Sequence, residues 1–136
     1  MKRLLILLAM AVLSLGIFAQ SRYEKVRQVY RSLGYNIGLE EFANLKEGSF
    51  GYSTVNFEAG SRYEIVAVSN DTDVKDIDLY VYYPNGELFM EDTDNSNLSV
   101  VSFNCTYSQS MKIIIKNYSS LTPNFASTIR YFIAWK

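Results

Sequence analysis

Ile77-Asp78-Leu79-Tyr80-Val81-Tyr82-Tyr83-Pro84-Asn85-Gly86-Glu87-Leu88 reads as a strand, a turn and the start of a second strand. Residues 77–83 are apolar or aromatic on both faces apart from Asp78, the composition of a strand that lies inside a sheet. In the turn that follows, proline presets the first corner, asparagine tolerates the second and glycine accepts a positive φ. The flanking strands are therefore predicted to pair as an antiparallel hairpin.

The same period of two extends outward on both sides. Residues 50–57, 63–68, 88–91, 98–104, 111–118 and 129–135 are each short, rich in β-branched or aromatic side chains and bounded by turn formers. Met111, Ile113 and Ile115 alternate with Lys112, Ile114 and Lys116, which assigns the first set to a core and leaves the second facing mostly water. Glu58-Ala59-Gly60-Ser61 is read as a second hairpin turn, between residues 50–57 and 63–68. No long helix interrupts these strands. The chain is expected to be all-β, an antiparallel jelly-roll-like sandwich of seven to eight strands over residues 46–136.

Before Gly48 the period is different. Tyr23, Val26, Tyr30 and Leu33 recur at three- and four-residue spacing among charged residues, the pattern of a short N-terminal amphipathic helix. Ser21 is its cap with Glu24 as the capping-box partner, and Gly34 is its stop. Residues 39–45 are read as a second short helix, so that residues 20–45 form a helical segment packed on the sandwich.

Residues 1–19 read as a signal peptide. Met1-Lys2-Arg3 supplies the positive charge, Leu4 to Leu13 carries no polar side chain, and Ala19 places a small residue at the cut. The apolar stretch of about 15 residues falls short of the roughly 20 that span a bilayer. The mature chain is expected to be secreted or periplasmic, with no membrane span after signal cleavage.

Composition excludes several chemistries. The chain contains no histidine, which removes Ser-His and Cys-His nucleophile systems and the commonest zinc ligand. Cys105 is the only cysteine, so no intramolecular disulfide forms. The net charge of −1 becomes −3 once Lys2 and Arg3 leave with the leader, so no basic field exists to hold a polyanion, and nucleic acid is not an expected partner. Catalysis by a carboxylate pair needs a cleft that a sandwich of this size has little room to form.

The Tyr63-Glu64-Ile65-Val66-Ala67-Val68 strand, the aspartate-x-aspartate-leucine-tyrosine-valine-tyrosine-x-proline-asparagine-glycine run of Asp76 to Gly86, and Asp92 resemble the bacterial pre-peptidase C-terminal domain family. Residues 111–117 and 131–135 fall where that family has its closing strands, and the likeness covers residues 45–136. The resemblance implies a jelly-roll-like sandwich, calcium-associated or metal-free, that serves binding, localisation or processing beside secreted peptidases. This chain carries no peptidase domain and has an added helix, so a role would be exerted on another molecule.

All six aspartates lie between positions 71 and 94. Clustered carboxylates and asparagine amides are what a hard cation such as calcium requires, and Asp76, Asp78 and Asp92 are the candidate ligands. Turn chemistry is the alternative, since aspartate side chains also accept hydrogen bonds from nearby backbone amides. No EF-hand spacing is present. Tyr80 and Tyr82 share one strand face and are the candidate binding residues, while Tyr52, Tyr107 and Tyr118 fall near strand ends or loops. The expected protein is a secreted, non-catalytic binding module that recognises an extracellular or envelope protein or polysaccharide, with calcium as a stabilising ion. The alternative is a structural or assembly protein of the envelope that acts through its N-terminal helix.

Overall fold

The computed structural model describes residues 20–136, so the signal-peptide reading lies outside the described residues. The elements are helix α1 (Arg22–Ser32) and strands β1 (Asn36–Leu45), β2 (Phe50–Phe57), β3 (Arg62–Ser69), β4 (Val74–Tyr82), β5 (Leu88–Asp92), β6 (Leu98–Asn104), β7 (Gln109–Ser120) and β8 (Ser127–Trp135). The strands form two antiparallel four-stranded sheets, in the orders β1-β8-β3-β6 and β2-β7-β4-β5. The pairings nest in sequence: β4 with β5, β3 with β6, β2 with β7 and β1 with β8. Nested pairing distributed over two sheets is the jelly roll.

Alternation along the strands builds the core between the sheets. Met111, Ile113 and Ile115 of β7 are buried, as are Ile77, Leu79 and Val81 of β4. They meet Ile65, Ala67, Val101, Ile129 and Ile133 of the facing sheet. Each fully buried aliphatic side chain contributes about 1.5–3 kcal/mol, which accounts for a sandwich that holds without a disulfide. The hairpin read from Pro84-Asn85-Gly86 joins β4 to β5, with Gly86 at φ +89°. β4 lies between β7 and β5, as its two apolar faces predict.

A second apolar cluster lies outside the first sheet. Tyr23, Val26, Val29 and Tyr30 of α1 pack on Val66, Val68, Phe132 and Ala134. The Ser21 hydroxyl accepts the Glu24 amide, and Gly34, at φ +85°, ends the helix with its own amide bonded to Arg31 and that of Tyr35 to Tyr30. That pair of bonds is a Schellman stop. The Glu24 carboxylate turns to Arg27. Glu64 is buried beneath the helix, where it accepts the Tyr30 and Tyr35 hydroxyls at 3.1 and 3.0 Å.

Two expectations are corrected. Residues 39–45 are not a helix: they belong to β1, which pairs with β8 from Asn36 opposite Trp135 to Leu45 opposite Ser127. The sandwich therefore begins at residue 36 and not at 46. Gly38 shows the constraint, since a Cβ there would run into the Trp135 ring. The Glu58-Ala59-Gly60-Ser61 turn reverses the chain but makes no hairpin. It carries the chain from β2 in one sheet to β3 in the other, because β2 pairs with β7 and β3 with β6 and β8.

Candidate functional site: an uncovered aromatic sheet face

The two sheets differ in what lies over their outer faces. The β1-β8-β3-β6 sheet is covered by α1. Across the sandwich, the outer face of β2-β7-β4-β5 has no covering element among the described residues, and yet it carries aromatic side chains. Phe50, Tyr52 and Tyr118 are 59%, 70% and 55% exposed.

The strand registers set these side chains in rows. Phe50 stands opposite Lys116, which stands opposite Asp78; Tyr52 opposite Ile114, then Tyr80; Thr54 opposite Lys112, then Tyr82. Neighbouring strands are about 4.8 Å apart and successive rows about 7 Å apart, so the face is a flat grid of rings, hydroxyls and lysines. The Lys112 ammonium lies 4.6 Å from the centre of the Tyr52 ring, and that of Lys116 lies 5.3 Å from Tyr118. Both contacts are cation–π pairs on an open surface.

Toward the β4–β5 turn the face deepens into a groove of ≈ 510 Å³. Its lining includes Thr54, Tyr82, Pro84, Ser110, Lys112 and Ile114, and Lys112 is its one charged side chain. Tyr83 closes one side and packs its ring against Phe89 at 4.8 Å. The groove thus has an aliphatic and aromatic floor, hydroxyls at its margin and a single cation.

The structure separates the two tyrosines proposed for binding. Tyr82 lines the groove. Tyr80 is half-buried and donates its hydroxyl to Asp78 at 3.1 Å, and burial together with that bond pushes its phenol up to about 12. Burial also raises the Asp78 carboxyl above its usual range, against the lowering effect of the Tyr80 hydroxyl. Lys116 lies opposite this pair, so its charge is partly answered by Asp78.

The three candidate metal ligands do not converge. Asp92 stands opposite Leu79 and so shares the core face, whereas Asp78, one residue earlier on β4, points to the outer face. All three are buried and each has a protein partner. Asp76 accepts the Ser96 amide at 3.2 Å, and Asp92 accepts the amides of Val100 at 2.7 Å and Asp94 at 3.2 Å. Val100 belongs to β6, so the Asp92 carboxylate joins the adjoining edge strands of the two sheets. Outside this set, Asp73 accepts the Thr122 amide and hydroxyl at 2.9 and 2.6 Å. Asp73, Asp76 and Asp92 thus anchor loop and strand-edge amides, whereas Asp78 takes the Tyr80 hydroxyl within β4. Among the described residues no group of three or more acidic, cysteine or histidine side chains is arranged to hold a metal ion.

Phe50, Lys112 and Ile114 belong to the face and were not singled out from sequence as site residues. Their signal was the shared parity of the alternation: even-numbered positions of β2 and β7 point outward together. Tyr52 and Tyr118, read as lying near strand ends or loops, are each the third residue from an end of their strand, in β2 and β7.

No family model and no curated protein matches this chain. Among solved structures, it is similar to AlgX of Pseudomonas aeruginosa at TM-score 0.50 and 15% identity, over 86% of this chain and 32% of that one. It is also similar to PliG of Aeromonas hydrophila, a periplasmic inhibitor of g-type lysozyme, at TM-score 0.47 and 9% identity over 76% and 88%. A de novo designed double-stranded β-helix follows at TM-score 0.37 and 17% identity over 73% and 100%. At these identities the likeness to AlgX is one of fold alone, and this chain spans about a third of that protein.

Proposed function

We propose that the protein is an exported, non-catalytic binding module that engages a protein or polysaccharide outside the cytoplasm through the outer face of β2-β7-β4-β5. One observation carries this reading. Of the two outer faces, one packs under α1 over its inner strands, leaving Phe42 of edge strand β1 exposed, and the other leaves Phe50, Tyr52 and Tyr118 in water beside a groove. Exposed tyrosines give large contact area at low conformational cost, the composition found in recognition surfaces. The lack of histidine and the charged, apolar leader sequence support a non-enzymatic protein outside the cytoplasm. The strand-and-turn resemblance to pre-peptidase C-terminal domains points the same way. The alternative of a partner-binding helix loses its apolar stripe, since Tyr23, Val26, Val29 and Tyr30 are already buried on the sandwich.

The test is a combined array of glycans and extracellular matrix proteins, probed with the wild type and with a Tyr52→Ala/Tyr82→Ala double variant of unchanged Tm. Binding that the double variant loses supports the reading. Binding that it retains in full overturns it, because the face would then be a bystander.

A further inference from the structure

Resting on that reading, we infer that the ligand of this face is a polysaccharide bearing acidic groups, its sugar rings lying on the tyrosines and one acidic group seated at Lys112, a single local contact and not a basic field. The argument begins with the groove. Its single charge is the Lys112 ammonium, and among the described residues no carboxylate lies within ion-pairing distance of that group. Its neighbour is the electron-rich face of Tyr52. A cation that faces a ring and no carboxylate gains from an incoming anion at little cost, because no ion pair has to break first.

The remaining charges on the face restrict where that anion fits. Asp78 lies beside Lys116 in the next-but-one row, and Glu91 stands opposite Tyr80. An acidic group is therefore repelled from the β5 side and is accepted at the Lys112 row, between Thr54 and Tyr82. Position is set by charge and not by shape alone.

The other groups select a sugar over a protein segment. Here the rings are broadly exposed, tyrosine outnumbers aliphatic residues, and the Thr54 and Tyr82 hydroxyls border the floor. An open track of rings with hydroxyls alongside matches a chain that has both C–H faces and hydroxyls at every unit. The rows of side chains continue past the groove to Tyr52 and Phe50, so more than one sugar unit has a surface to lie on.

Native affinity electrophoresis of the full protein tests this. The gels contain polygalacturonate, its fully methyl-esterified neutral form, dextran sulfate or dextran. The variants are Lys112→Gln, Tyr52→Ala and, as a control for net charge, Lys75→Gln, which removes an exposed lysine on a loop-side end of β4. Retardation by polygalacturonate is expected, weakened about tenfold by Lys112→Gln and unchanged by Lys75→Gln. Retardation by dextran sulfate of the same variant dependence assigns the site to anionic sugars at large, whereas retardation by polygalacturonate alone assigns it to uronates. Equal retardation by the methyl ester with Lys112→Gln silent overturns the acidic requirement, and loss of that binding in Tyr52→Ala would still leave the face as a platform. Equal weakening by Lys75→Gln and Lys112→Gln overturns the inference as diffuse charge attraction. No retardation in any gel overturns it too, and the array then decides the fate of the platform separately.

Discussion

Replacing Asp92 by alanine is expected to lower the melting temperature by about 8–16 °C, with excess calcium unable to restore it. Asp92 is 5% exposed and its carboxylate accepts the Val100 amide at 2.7 Å and the Asp94 amide at 3.2 Å. Hydrogen bonds to a charged group are worth about 1.5–3 kcal/mol each. Asp94 is exposed, so water replaces its bond and the Val100 amide dominates the loss. The sum is about 2–4 kcal/mol, and a domain of this size loses roughly 4 °C per kcal/mol. Asp92→Asn keeps one acceptor oxygen and is expected to lose about half as much. Thermal melts followed by far-ultraviolet circular dichroism, with calcium and with a chelator, give the answer. A wild-type protein that gains several degrees from calcium, with Asp92→Ala failing to respond, would refute the edge-joining role and restore Asp92 as a metal ligand.

Three other outcomes are expected. The raised Asp78 carboxyl means that the folded state keeps this proton to higher pH than the unfolded chain, so its contribution falls as pH rises through the carboxylate range. Asp78→Asn should therefore raise the melting temperature at pH 7 and leave it unchanged in acid, and a lower value at pH 7 would show that pairing with Lys116 outweighs burial. The phenols of Tyr23 and Tyr80 are pushed up to about 12, Tyr23 chiefly by burial and then by Glu40. Stability that is intact below pH 10 should be lost as pH climbs toward 12, and an ultraviolet titration should show these phenolates only as the near-ultraviolet dichroism disappears; reversible ionisation near 10 in the folded state contradicts this. Deleting residues 20–35 uncovers Val66, Val68, Phe132 and Ala134 and leaves Glu64 without its two tyrosine donors. The truncated chain should bind hydrophobic dyes and aggregate, and a monomer with an unchanged cooperative melt would show that α1 is dispensable.

The legible parts of this fold are those in which local chemistry and tertiary packing agree. Met111, Ile113 and Ile115 alternate with lysines, and Pro84-Asn85-Gly86 can do little except turn. β1 was missed because Leu39, Phe42 and Leu45 recur at three-residue spacing among glutamate and alanine, a helical pattern that pairing with β8 overrides. Gly38 was the contrary signal, and its reason, the Trp135 ring, lies at the other end of the chain. The turn at residues 58–61 announces a reversal but not which sheet receives the next strand. Among the site residues, the parity of Asp78, Tyr80 and Tyr82 was readable within one strand. The opposite orientation of Asp92 was not, because it depends on cross-strand register, and β4 and β5 slip past one another between Val81 and Tyr82.

The nested pairing has a bearing on how the chain reaches its folded state. Only the β4–β5 hairpin joins neighbours in sequence, and every further pairing closes a larger loop around it, ending with β1 against β8. Loop entropy makes such distant contacts late and slow to form. β8 is also an inner strand, flanked by β1 and β3, so a chain lacking its last ten or so residues has a gap within one sheet and an orphaned strand beside it. Residues 127–135 thus act as the keystone of one sheet: without them β1 has no strand to pair with and β3 keeps only β6, whereas the pairings of β2-β7-β4-β5 do not depend on them.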